Sequence, residues 1–199
     1  NKGSNRFDNF VNNSYKIKNF YKMLNCFSFY KKCERMINIH YPDSKWKIKN
    51  KIKNFSKTNY GLQKGSKLTH SFSKLKNVIN LDVDFSVSKK GYFRSVHRDR
   101  ETRVINFLIY LNSLNSKDGG AFKIYKSKKN YKSAHKYPRF PSSKDVKLEK
   151  KILPKQGQLI IFQSTPDSYH AAEKFVSKNK KRVFLYGSFS LNKKVIWKK

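Results

Sequence analysis

The stretch Tyr92-Phe93-Arg94-Ser95-Val96-His97-Arg98-Asp99 ends a strand-like run on a histidine and a carboxylate two positions apart. In an extended strand successive side chains point to opposite faces, so positions two apart share a face. His97 and Asp99 therefore stand side by side, as two ligands of one metal ion must. A third ligand from a distant strand would complete a two-histidine, one-carboxylate facial set and leave three positions of an octahedral ion open. His170 is the candidate: it follows the polar turn Ser164 to Tyr169 and precedes the apolar run Ala171 to Phe175. A lone His-x-Asp pair is weak evidence in a chain with five histidines, because one such pair arises readily by chance. His40, His70 and His135 have no carboxylate two residues further on and are expected at the surface.

Outward from this stretch, from about Val78 onward, short β-rich runs alternate with polar or glycine-bearing turns, the pattern of an all-β barrel or sandwich. The runs are Val78 to Val87, Tyr92 to His97, Val104 to Leu111, Ala121 to Tyr125, Ile152 to Leu153, Gln158 to Gln163, Ala171 to Phe175 and Val183 to Leu191. Gly119-Gly120 and Gly157 mark turns that open strands. Lys126 to Lys150 is basic, poor in apolar residues and carries Pro138 and Pro141, so a long inserted loop is expected there. Before Val78 the texture differs. Phe10, Val11, Tyr15, Ile17, Phe20, Tyr21, Met23, Leu24, Phe27 and Tyr30 recur with three- and four-residue steps prominent, which predicts one or two amphipathic helices between Asn9 and Ile39. Tyr41 to Ser56 reads as a loop followed by a short element whose type the pattern does not fix. The expected division is a helical and irregular support region over residues 1–77 and a β core over 78–199, with the basic loop at about 126–150.

The order His97-Arg98-Asp99, Phe107-Leu108-Ile109-Tyr110-Leu111-Asn112, Gly119-Gly120, Pro154 with Gly157, Leu159-Ile160-Ile161-Phe162, His170, Arg182 resembles the prolyl-hydroxylase branch of the 2-oxoglutarate/Fe(II) dioxygenases. The resemblance covers about Val78 to Leu191. It implies a mainly β fold, a double-stranded β-helix of jelly-roll or cupin-like type with the N-terminal helices packed outside. It also implies that His97, Asp99 and His170 are the catalytic iron ligands. Arg182 would pair with the distal carboxylate of 2-oxoglutarate, and Tyr110 would hydrogen-bond the same group. A planar guanidinium matches a carboxylate in two-pronged fashion, and a phenol beside it can donate to the same oxygens. Arg182 lies twelve residues past His170, slightly further than the family usually shows, so Lys180 and Lys181 compete with it. Arg182 opens the apolar strand Val183 to Phe189 and is better placed to face inward.

The cofactors implied are Fe(II), 2-oxoglutarate as co-substrate and O2, with ascorbate as an accessory reductant. The implied reaction is hydroxylation, with 2-oxoglutarate leaving as succinate and CO2. Asp99 argues against a halogenase, which keeps a small residue at that position. A prolyl or similar side chain of a protein, or a small amino-acid-like molecule, is the expected substrate. The nucleic-acid demethylase branch carries two arginines spaced around an asparagine after the last histidine, and Val183-Phe184-Leu185-Tyr186-Gly187-Ser188 lacks that pattern.

Charge leaves two further readings open. With 46 Lys+Arg against 12 Asp+Glu the formal net charge is +34, which steers a protein toward nucleic acid or another acidic partner. An A/T-rich coding bias would also enrich Lys, Asn, Ile, Tyr and Phe without any such partner. A nucleic-acid-directed oxygenase is thus one alternative function, and a non-enzymatic basic nucleic-acid-binding module is another. The second would use Tyr131, Tyr137 and Phe140 among the loop lysines as stacking platforms. Arg94, Arg98, Arg100 and Arg103 crowd the His-x-Asp pair, either as solvated rim cations or as a grip on an acidic substrate. Cys26 and Cys33, if on one helix, stand roughly 10 Å apart, too far for a disulfide. With no apolar run near the ~20 residues of a membrane span, the expectation is a soluble intracellular protein.

Overall fold

A computed structural model describes residues 5–42, 44–57 and 77–198 of the chain; His70 lies outside them. The N-terminal periodicity resolves into three helices instead of one or two: α1 (Asn5–Asn12), α2 (Tyr15–Leu24) and α3 (Phe27–His40). The breaks have local causes. Ser14 is extended and its side chain accepts from the Ile17 amide, capping α2. Cys26 is likewise extended and starts α3 directly after Asn25 closes α2.

The segment whose type the sequence leaves unfixed forms two short strands, β1 (Lys47–Ile48) and β2 (Asn54–Ser56). The remaining strands are β3 (Val78–Ser88), β4 (Arg94–His97), β5 (Arg103–Tyr110), β6 (Phe122–Ser127), β7 (Val146–Ile152), β8 (Leu159–Gln163), β9 (Tyr169–Ala172), β10 (Arg182–Leu191) and β11 (Trp197–Lys198). One sheet has the order β2-β3-β10-β5-β8 and a second β4-β9-β6-β7, while β1 pairs with β11. Two facing sheets of largely antiparallel strands make the mainly β jelly roll that the resemblance implies. The predicted loop over 126–150 is shorter than expected: it ends at Asp145, and β7 pairs with β6 from Val146 onward.

The five-stranded sheet alternates cleanly. Ile79, Leu81 and Val83 of β3, Ile105 and Phe107 of β5, and Leu185, Phe189 and Leu191 of β10 pack against Phe7, Val11, Leu24, Tyr30, Cys33 and Ile37 of the helices. Each such side chain, fully buried, stabilises the fold by about 1.5–3 kcal/mol. The alternate positions, among them Asn106, Arg182, Tyr186 and Ser188, carry the polar chemistry on the opposite face. Period-two patterning therefore gives one sheet an apolar back sealed by helices and a front facing the second sheet that mixes these polar groups with Leu108, Tyr110 and Phe184.

Candidate metal centre

His97 ends β4 and His170 lies in β9. The two strands are antiparallel neighbours with His97 opposite His170, so the register sets the rings side by side, 4.4 Å between centroids. Asp99 follows two residues after His97. One ligand atom from each of His97, Asp99 and His170 lies within 4.8 Å of the others, and all three residues are buried.

The hydrogen bonds show what these atoms offer. His97 Nδ1 sits 2.8 Å from the Ser95 carbonyl and His170 Nδ1 3.1 Å from the Ser168 carbonyl. A carbonyl only accepts, so each Nδ1 carries the proton and each Nε2 is left with a lone pair. Arg94 Nε donates to His97 Nε2 at 3.1 Å, consistent with that assignment. His170 Nε2 lies 3.3 Å from Asp99 Oδ2, two electron-pair donors facing each other.

The protonation states agree. Burial, reinforced by the neighbouring His170, pushes His97 down to about 4, and burial also lowers His170. Burial works against the charge on Asp99, yet His170, Arg103 and His97, with a hydrogen bond from Tyr186, hold its carboxyl below the usual range. Two neutral imidazoles and one carboxylate converge without a proton between them, and a divalent cation fits that donor set.

Arg182 opens β10 on the polar face and is 1% exposed. Its Nη2 donates to the Tyr110 hydroxyl at 3.2 Å, while Nε and Nη1 have no hydrogen-bond partner among the described residues. The guanidinium lies over the Phe184 ring at 4.1 Å and shares a cavity of about 210 Å³ with His97, Asp99, His170, Tyr92 and Arg94. Buried unpaired cationic donors call for an anion, and a carboxylate meets the need. Tyr110 accepts from Arg182, so its own proton is free for the same anion. The competing lysines are placed elsewhere: Lys180 pairs with Asp118 at 2.8 Å, and Lys181 is exposed. Asn112 fixes the start of β10 by accepting from the Val183 amide and donating to the Lys181 carbonyl. Gly120 has φ +76, and a Cβ there would stand 3.0 Å from Arg182 Cδ, so this glycine lets the arginine lie flat.

Four arginines expected as one group separate. Arg98 is buried and donates to the Tyr137 carbonyl at 2.9 and 3.1 Å, tying down the basic loop. Arg103 reaches Asp99 itself at 2.6 Å, so neither of these is a rim cation. Arg94 and Arg100 are exposed, and Arg94 lines the cavity. The loop aromatics do not form a free stacking ladder either. Tyr137 is 1% exposed and packs on Trp46 and Tyr131, leaving Phe140 exposed, 6.3 Å from the His97 ring. His40 and His135 are exposed, as expected.

Residues 83–189 match the family model of the 2OG-Fe(II) oxygenase superfamily. The chain belongs to that superfamily. Fe(II) and 2-oxoglutarate are the cofactor and co-substrate of that family. No curated protein sequence matches it. Similar solved structures include a prolyl-4-hydroxylase of Pseudomonas putida, with 21% identity over 56% of this chain and 52% of that one, TM-score 0.38. HygX from Streptomyces hygroscopicus, with nickel and 2-oxoglutarate bound, shows 10% identity over 56% and 57%, TM-score 0.38. The viral collagen prolyl hydroxylase of Paramecium Bursaria Chlorella virus-1, a 2-oxoglutarate complex, shows 18% over 62% and 69%, TM-score 0.38. The chain thus spans about half the length of the first two. No helix among the described residues of this chain is long and apolar enough to cross a membrane.

Two residues of the site escape the sequence reading: Tyr186, and Arg103 in its true role. Both contact Asp99. Tyr186 shares the polar face of β10 with Arg182, four positions on, which is the signal that could have found it.

Proposed function

We propose that this oxygenase hydroxylates a prolyl or similar side chain of a protein, or a small amino-acid-like molecule, with His97, Asp99 and His170 as its iron ligands. Arg182 and Tyr110 hold the distal carboxylate of 2-oxoglutarate. The observation that carries the reading is the convergence of two unprotonated imidazole nitrogens and a carboxylate oxygen beside a buried arginine with unpaired donors. The substrate class rests on the ordered motifs from His97 to Arg182. Residues 1–77 act as a support for the core over 78–199.

Fe(II) with 2-oxoglutarate supplies the oxidising power, coupling release of succinate and CO2 to insertion of one oxygen atom of O2 into a substrate C–H bond. The protein orients and excludes. Ser95 and Ser168 carbonyls fix both imidazole tautomers, the usual service of a second partner to a ligating histidine. Phe122 and Phe162 pack on the His170 ring at 5.5 and 4.9 Å and keep water from that side.

Anaerobic titration with Fe(II) and then 2-oxoglutarate tests the site, followed by a screen of peptides, free amino acids and oligonucleotides for succinate release and a one-oxygen mass gain. His97→Ala is expected to lower iron affinity and 2-oxoglutarate turnover by at least ~100-fold. Undiminished turnover in that variant would show the site to be elsewhere.

A further inference from the structure

We propose that Arg103 and Tyr186 are positioning residues that confine Asp99 to one metal-facing oxygen and thereby keep a coordination position open. The inference rests on the reading of His97, Asp99 and His170 as iron ligands.

Six positions surround an octahedral ion, and two imidazoles with one carboxylate oxygen occupy three. A keto acid that chelates takes two more, and O2 needs the last. A carboxylate free to bind through both oxygens would take that sixth position.

Asp99 is not free to do so. Its Oδ2 faces His170 Nε2 at 3.3 Å, while Oδ1 accepts from Arg103 Nη1 at 2.6 Å. The same Arg103 nitrogen contacts the Tyr186 hydroxyl, and its guanidinium lies 5.0 Å from the Tyr186 ring centre. Tyr186 lies 3.1 Å from Asp99 Oδ2 and 3.2 Å from Asn106 Oδ1. Its single proton goes preferentially to the charged acceptor; that bond takes one lone pair of Oδ2, fixes the carboxylate's rotation and leaves the other lone pair facing His170 Nε2. Asn106 is fully buried on β5, the strand that also carries Arg103, so the network is anchored in one sheet. Turning Oδ1 toward the metal would break a short ion pair in a site shielded from water, where charge-assisted bonds are strongest.

The test compares wild type with Arg103→Met, Arg103→Lys and Tyr186→Phe. It measures anaerobic Co(II) and Fe(II) affinity, the Co(II) ligand-field spectrum, 2-oxoglutarate affinity, O2-dependent succinate release and thermal melting. For Arg103→Met, which frees Oδ1 to join the metal, the expected result is a metal affinity kept within a few fold or raised. Its Co(II) spectrum should be altered, and turnover at saturating metal should fall further than 2-oxoglutarate affinity does. Arg103→Lys should recover part of each. Tyr186→Phe, which removes only a hydroxyl, should show the same spectral change with turnover lowered about fivefold, and it keeps the test alive if Arg103→Met does not fold. Variants that melt lower but keep the wild-type spectrum, affinity and turnover would give these residues a merely structural role and overturn the proposal. Failure of the wild type itself to bind metal would instead sink the underlying site assignment.

Discussion

Arg182 is a buried charge only partly reconciled by the described residues: 1% exposed, a hydrogen bond to Tyr110, and two donors without partners among them. Hydrogen bonds to charged groups contribute about 1.5–3 kcal/mol each, roughly 10- to 150-fold. Arg182→Ala should therefore raise the KM for 2-oxoglutarate by about 100-fold while leaving Fe(II) affinity within a few fold. Arg182→Lys should recover little, because a point charge does not replace a planar fork. Kinetics at varied 2-oxoglutarate, with a separate metal titration, check the split; equal loss of both affinities would show that Arg182 supports the metal ligands instead. The nearness of His97 and Asp99 was legible from local spacing, but the pair gained weight only from the ordered motifs that follow it. Tyr186 was not, because it meets Asp99 from 87 positions away through a sheet register that no local pattern encodes. Preference for Arg182 over its lysine neighbours was legible only as far as the strand start, and its unpaired donors only from packing.

Most core strands were readable to within a few residues from their period-two alternation, but β7 was not: Val146 to Lys150 is mostly exposed and basic and read as the end of the loop. The helix breaks were not, since Asn13-Ser14 and Asn25-Cys26 interrupt a periodicity that continues on either side. Gly187 is a subtler case: in mid-strand on β10, it would bring a Cβ within 2.1 Å of the Phe107 ring. A glycine inside a strand marks close approach, but only the register names the neighbour. Gly187→Ala should destabilise the fold by about 1–3 kcal/mol through overpacking, read as a lower urea midpoint with unchanged slope. Docking of α3 has its own reporter. Cys33 is fully buried, and burial pushes its thiol up to about 12 from an ordinary 9.0, whereas Cys26 is partly exposed. Below pH 9 both folded and unfolded thiols are protonated and the contribution is intact. As pH rises from 9 through 12 the unfolded chain ionises first, and stability is lost. Between pH 8 and 10 the urea midpoint should fall more in wild type than in Cys33→Ala, and at pH 8 iodoacetamide should label Cys26 in the folded protein but Cys33 only after unfolding. An equal fall in both proteins would remove Cys33 from the account.

At the scale of the whole molecule, the described part of residues 1–77 does three things. Its helices cover the apolar back of the five-stranded sheet, β2 extends that sheet in parallel beside β3, and β1 pairs with β11 at the far end of the chain. A fragment beginning at Val78 would leave Ile79, Leu81, Phe107, Leu185 and Phe189 facing water, a contiguous patch of the kind monomeric proteins rarely expose. Solubility is a poor measure of the consequence, because residues 78–199 carry 28 Lys+Arg against 9 Asp+Glu, a net charge of +19, and self-repulsion keeps even a damaged fold dispersed. The informative measurements are binding of a hydrophobic dye, near-ultraviolet dichroism and the cooperativity of melting. The fragment over 78–199 should bind dye strongly, lose near-ultraviolet dichroism and melt without a sharp transition, and its Fe(II) affinity should fall with them, since the sheet that carries His97 and His170 packs on the one whose backing has gone. A fragment that melts cooperatively and binds Fe(II) like the full chain would show that the core stands alone, and residues 1–77 would then need a role other than support.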